Sequence, residues 1–215
     1  MARDQGPDVV LNPQQMNILI PTVSPESVEA LVFDLGGVLL DVQLQRTLRA
    51  FEALDIRGLG AAEVIDGNRA CFRDLELGLI TQEEFAEAVR RTFPAVAAIP
   101  DAQRVELLRE LGKRCPVYLL SNTNLPHRIR FRESFRERFG GSFDELFVRC
   151  FYSDELHLRK PDPEIYRSVA RQIGTPPGKL LFIDDNAANV SAARGEGWQA
   201  CHLTGGITVT DLFEL

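Results

Sequence analysis

The amino-acid sequence predicts an α/β protein: an open parallel sheet with a small helical block inserted after its first strand. Three observations predict it. Short apolar runs alternate with amphipathic helical stretches from residue 101 onward, as strands joined by crossover helices do. An earlier apolar run, Ala30-Leu31-Val32-Phe33, is separated from them by residues 43–97, which read as helix alone. Three of the runs stop abruptly at polar residues: Asp34, Ser121 and the pair Asp184-Asp185. In open α/β sheets the ligand crevice lies outside the carboxyl ends of the strands, so the three stops point to one site.

In chain order, residues 1–27 read as an N-terminal extension and are expected to be an unstructured leader. They hold Pro7, Pro13, Pro21 and Pro25 without a sustained period, and proline donates to neither helix nor ladder. The run Asn17-Ile18-Leu19-Ile20 is the part able to pack on a surface. Residues 28–42 and 98–215 form the expected core. Its first strand, residues 30–33, is apolar throughout, as a strand buried on both faces is. Gly36-Gly37 follow just past its end. Residues 43–97 form the expected cap, with helical stretches near 44–54, 60–74 and 81–93. Thr81 with Glu84 three residues later is a capping-box signature. Helix 101–111 then leads into strand 116–120, and a strand follows near 146–151. Helix 163–173 leads into strand 179–183, and helix 187–195 into the last strand, 199–203.

Composition bounds the function. Of the 215 residues, 45% are apolar and 26% charged, ordinary for a globular chain and against disorder throughout. The formal charge of −7 disfavours nucleic acid and anionic membrane as partners. No run reaches the ~18 consecutive apolar residues of a membrane span. The cysteines Cys71, Cys115, Cys150 and Cys201 are scattered, which predicts neither a zinc site nor a disulfide framework. With no cationic segment leading an apolar block, the chain reads as cytoplasmic. No pattern in it sets an oligomeric state.

The chemistry follows from the strand ends. A carboxylate such as Asp34 is a competent nucleophile toward phosphorus once the phosphoryl charge is neutralised. Neutralisation calls for a hard cation held by oxygens, with a lysine or backbone amides beside it. Asp34, Asp184 and Asp185 supply oxygens and would repel one another without a cation, so Mg²⁺ is the economical cofactor. Lys160 stands just before a helix opened by Pro161 and Pro163, where it can be held rigidly. Ser121 and Asn122 offer a hydroxyl and main-chain amides.

The four segments Phe33-Asp34-Leu35-Gly36-Gly37-Val38-Leu39, Leu119-Leu120-Ser121-Asn122-Thr123-Asn124, Lys160-Pro161-Asp162-Pro163 and Phe182-Ile183-Asp184-Asp185-Asn186 resemble the ordered motifs of the haloacid dehalogenase superfamily. The resemblance covers roughly residues 28–207 and is closest to the small-helical-cap, sugar-phosphate-phosphatase-like branch. It implies a Rossmann-like core with a cap inserted after the first motif. It further implies that Asp34 attacks phosphorus and forms an aspartyl-phosphate. Mg²⁺ would be held by Asp34, the Gly36 carbonyl, Asp184 and Asp185. Ser121 and Asn122 would bind phosphoryl oxygens, and Lys160 would steady phosphate and nucleophile. Asn189 would support the acidic loop. The partner would be a small phosphorylated metabolite.

The sequence departs from that pattern at Gly36, where most phosphatases of the family carry the aspartate that protonates the leaving alcohol; Val38 replaces a common threonine. A positioned acid is worth roughly 10²–10⁴ in rate. A substitute acid could come from Asp41, from the cap or from the substrate. The gap keeps two competitors in view: a metal-independent 2-haloacid dehalogenase, and a catalytically weak protein that retains the phosphate pocket. The acidic pair Asp184-Asp185 argues for phosphate, because it suits a cation and repels an incoming haloacid carboxylate. His127, His157 and His202 show no metal-ligand spacing. In the run 128–138 the phenylalanines are expected to face the core and the arginines water. Arg69 and Arg73 read as a solvated cap face, and Trp198 as a packing residue.

Overall fold

The computed structural model describes residues 17–40, 101–123 and 125–214. The chain divides into two compact units, Met1–Asp41 with Ile99–Leu215, and Val42–Ala98. The helices and capping box expected in 44–93, with Asp41, Arg69 and Arg73, lie outside the described residues.

The core is a five-stranded sheet, all parallel: β2 (Ala30–Phe33), β3 (Val117–Ser121), β4 (Arg149–Tyr152), β5 (Leu180–Asp184) and β6 (Gln199–His202), in spatial order β4-β3-β2-β5-β6. The order reverses direction at β2, which therefore lies at the topological switch point. Every residue of β2, β3 and β5 is buried. Ala30 and Val32 meet one cluster with Leu120, Leu180, Phe182 and Trp198. Leu31 and Phe33 bury on the other face by the strand's alternation.

Local signals set the helices. Helix α1 (Ala102–Gly112) starts where the Asp101 carboxylate accepts the Arg104 amide at 2.8 Å. Next come α2 (Leu125–Phe139) and the single turn α3 (Ser153–Leu156). Helix α4 (Pro163–Ile173) opens on a proline at its first position and ends at Gly174, which adopts the left-handed conformation. Helix α5 (Ala187–Gly195) is capped by Asn186, whose side chain accepts the Ala188 and Asn189 amides.

Three expectations need correction. Residues 17–27 are packed rather than free: β1 (Asn17–Ile18) pairs antiparallel with β7 (Phe213–Glu214), and Ile18, Ile20 and Val23 are buried. Tertiary pairing with a strand nearly two hundred residues away is invisible to local periodicity. The fourth strand begins at Arg149, because Phe143–Leu146 closes as a 3-10 turn. Finally, the arginines of α2 do not all face water. Phe131 and Phe135 do bury against Phe143, with ring centroids 5.2 and 5.4 Å apart. Arg128, however, is only 5% exposed and pairs with Asp154 and Glu155, while Arg132 pairs with Asp144. Both guanidinium groups lie over the Tyr152 ring.

Candidate active site

The carboxyl ends of β2, β3 and β5 bring Asp34, Ser121 and Asp184 to one edge of the sheet. Lys160 joins them from the loop before α4. Its ammonium donates to Asp34 Oδ1 at 2.6 Å, to Asp184 Oδ2 at 2.8 Å and to the Leu120 carbonyl at 2.9 Å. An ammonium has three protons, so all are engaged. Lys160 is 1% exposed and Asp184 fully buried. Lys160 thus orients Asp34 and offsets two buried carboxylates, and in this arrangement all three of its protons are taken.

Asn122 explains how Lys160 is held. Its Oδ1 accepts the Lys160 amide at 2.9 Å and its Nδ2 donates to the Lys160 carbonyl at 2.8 Å. The Asn122 side chain therefore serves the lysine, and neither bond uses the Asn122 main-chain amide.

The acidic loop is built with similar care. Asn189 donates from Nδ2 to both oxygens of Asp184, at 3.1 and 3.0 Å, and the Asn186 amide donates to Asp184 Oδ1 at 2.7 Å. Asn189 is held in turn through its carbonyl, which accepts from the Tyr166 hydroxyl at 2.9 Å. Asp185 is more exposed and lies against Gly37, whose φ of +76° is open to glycine; a Cβ there would meet Asp185 Oδ2 at 1.9 Å. In the turn after Asp34 the Leu35 carbonyl accepts the Leu39 and Leu40 amides, and the Leu40 carbonyl accepts the Gly37 amide. None of these bonds uses the Gly36 carbonyl.

Asp34, Asp184 and Asp185 each offer an oxygen within 4.8 Å of the others. Three carboxylates against one ammonium leave two formal negative charges. Burial pushes the Asp34 carboxyl up to about 6, despite the pull of Lys160, and Asp184 adds to the rise. Asp185 is also raised, by burial and then by Asp184. A donor set of hard oxygens, crowded and short of two positive charges, fits a divalent cation such as Mg²⁺.

The histidines and Trp198 fall outside this centre. His202 Nε2 lies 3.0 Å from the Asp185 carbonyl, His127 Nδ1 lies 3.0 Å from Thr123 Oγ1, and His157 turns the chain at a φ of 54°. Trp198 packs on Tyr166 and Phe182. Ser153 was missed by sequence reasoning. Its Oγ accepts the Thr123 amide at 2.9 Å and donates to the Thr123 carbonyl at 3.1 Å. Correct placement of β4 would have revealed it, since it is the polar residue after a fourth strand end. Among the described residues no helix is long and apolar enough to cross a membrane.

A family model described as haloacid dehalogenase-like hydrolase matches residues 28–197. A sesquiterpene phosphatase of Aspergillus oryzae is 33% identical, over 82% of this chain and 90% of its own. A D-ribitol-5-phosphate phosphatase of Bacteroides thetaiotaomicron is 25% identical, over 80% of this chain and 90% of its own. The crystal structure of an enzyme of the same family from B. thetaiotaomicron, in complex with magnesium and inorganic phosphate, superposes with a TM-score of 0.68. Its identity is 26%, over 87% of this chain and all of the other.

Proposed function

The chain belongs to the haloacid dehalogenase-like hydrolases, and on that premise we propose that it is a Mg²⁺-dependent phosphatase acting on a small phosphomonoester through an aspartyl-phosphate on Asp34. The observation that carries this reading is the set of three clustered carboxylates with one buried lysine bridging two of them. A dehalogenase displacing halide needs no such acidic cluster, whereas phosphoryl transfer does.

Asp34, Asp184 and Asp185, with the Gly36 carbonyl, would hold the cation. When bound, Mg²⁺ supplies the positive charge that neutralises phosphoryl oxygens. Lys160 fixes the Asp34 carboxylate so that its other oxygen, Oδ2, is the one left to attack phosphorus. The Ser121 hydroxyl and the Asn122 amide receive phosphoryl oxygens. The O–P bond from Asp34 forms as the bond to the alkoxide breaks. With glycine at position 36, the alkoxide takes its proton from another donor. Water then attacks the phosphorus of the aspartyl-phosphate, releasing phosphate and regenerating Asp34.

The test is phosphate release from p-nitrophenyl phosphate and a substrate panel, with Mg²⁺ and with EDTA. The panel includes sugar and polyol phosphates and a prenyl monophosphate, since both polar and terpenoid alcohols occur among the relatives. Exposed Leu125 and Ile129, one turn apart at the start of α2, favour including the apolar class. EDTA is expected to lower release by about 10²-fold or more. Release that survives EDTA would overturn the metal assignment, and halide release from a 2-haloacid would overturn the phosphatase.

Gly37→Ala offers a narrower check on Asp185. The new Cβ would displace the carboxylate and strain the turn by about 1–2 kcal/mol. The Mg²⁺ concentration giving half-maximal release should rise by roughly tenfold, as it does when a ligand's support is lost. An unchanged value would exclude Asp185 from the cation site.

A further inference from the structure

We propose that Ser153 is a positioning residue of the phosphoryl-binding loop, acting through the main chain of Thr123. The inference rests on the phosphatase reading, which gives Ser121 and the Asn122 amide the phosphoryl oxygens.

The loop Ser121-Asn122-Thr123 leaves β3 and is gripped from two sides. On one side Asn122 exchanges two hydrogen bonds with the main chain of Lys160. On the other, Ser153 exchanges two with the main chain of Thr123. Neither grip uses the Asn122 amide. The Thr123 side chain is held as well, by His127 Nδ1, and burial lowers the His127 pKa. A loop fixed on both flanks presents its donors without reorganisation, the property that makes preorganised donors effective.

Ser153 is itself held by a larger assembly. Its neighbour Asp154 accepts from Arg128 at 2.9 Å, and Glu155 pairs with the same guanidinium. Its other neighbour, Tyr152, lies under Arg128 and donates to Asp144 Oδ1 at 3.0 Å. Asp154 is partly and Glu155 largely exposed, so these ion pairs are weak evidence for stability. Here the guanidinium fixes both residues that flank Ser153. The fold thus commits a nearly buried arginine to holding a single serine turn against the loop.

The experiment measures the inhibition constant of inorganic phosphate and the Mg²⁺ half-saturation in wild type, Ser153→Ala and Ser153→Thr. Ser153→Ala is expected to weaken phosphate binding by about tenfold, the effect of losing one to two hydrogen bonds. Mg²⁺ half-saturation should stay unchanged, and Ser153→Thr, which keeps the hydroxyl, should recover phosphate binding to within about threefold. If Ser153→Ala does not fold, Ser153→Cys tests the same point with the volume kept and a far weaker acceptor. Phosphate binding equal to wild type in the variant overturns the positioning role. So does an equal weakening of phosphate and Mg²⁺, which marks a merely structural serine. A wild type that binds no phosphate overturns the phosphatase reading itself, and the inference falls with it.

Discussion

Asp34→Asn is expected to lower phosphate release by about 10⁴-fold while leaving the fold intact, as removal of a covalent nucleophile does. An amide nitrogen does not form the aspartyl-phosphate, yet the side chain keeps its size and its Oδ1 can still accept from Lys160. Stability moves the other way. The Asp34 pKa is raised from 3.8 to about 6, chiefly by burial, so the folded state disfavours the charged form. That penalty is fully present above about pH 6 and absent below the ordinary value of 3.8. In metal-free buffer at pH 8 the variant should therefore melt no lower than wild type, and at pH 3 the difference should vanish. A variant that keeps a tenth of wild-type activity would remove Asp34 from the chemistry. A variant that melts much lower at pH 8 would show that its charge is not strained.

Lys160→Met is expected to abolish turnover and also to weaken the protein. It leaves Asp34 and Asp184 buried without the ammonium that both contact. Breaking a buried pair by removing one partner costs about 3–5 kcal/mol. For a chain of this size that is roughly 10 °C in Tm. Thermal melting with and without Mg²⁺ tests the charge argument. The cation should raise the Tm of Lys160→Met more than that of wild type, because it replaces the missing positive charge. An equal rise in both would show that lysine and cation do not share the same carboxylates.

The parallel sheet was legible because its three central strands are buried on both faces and bounded by turn and cap residues. The runs at 30–33 and 163–173 and the helix 187–195 coincide with β2, α4 and α5. The three polar strand ends were legible for the same reason: an apolar run that stops at a carboxylate has reached the edge of the sheet. The strand expected near 146–151 lies at Arg149–Tyr152, because Leu146 belongs to the 3-10 turn opened by the capping box at Ser142 and Glu145. Its end at Tyr152, one residue later than expected, makes Ser153 the polar residue after it.

By itself, then, the sequence determined the fold class, the order of the five parallel strands and the residues at three of their ends, since each is written in local periodicity and punctuation. Tertiary structure alone decided what those residues do for one another. It turned the Asn122 side chain onto Lys160, engaged every proton of that lysine, buried Arg128 over Tyr152 and paired residues 17–18 with 213–214. Each of these is a contact between distant segments. Hydrogen-bond saturation and burial depend on the groups that the fold brings near, and no local pattern carries that information.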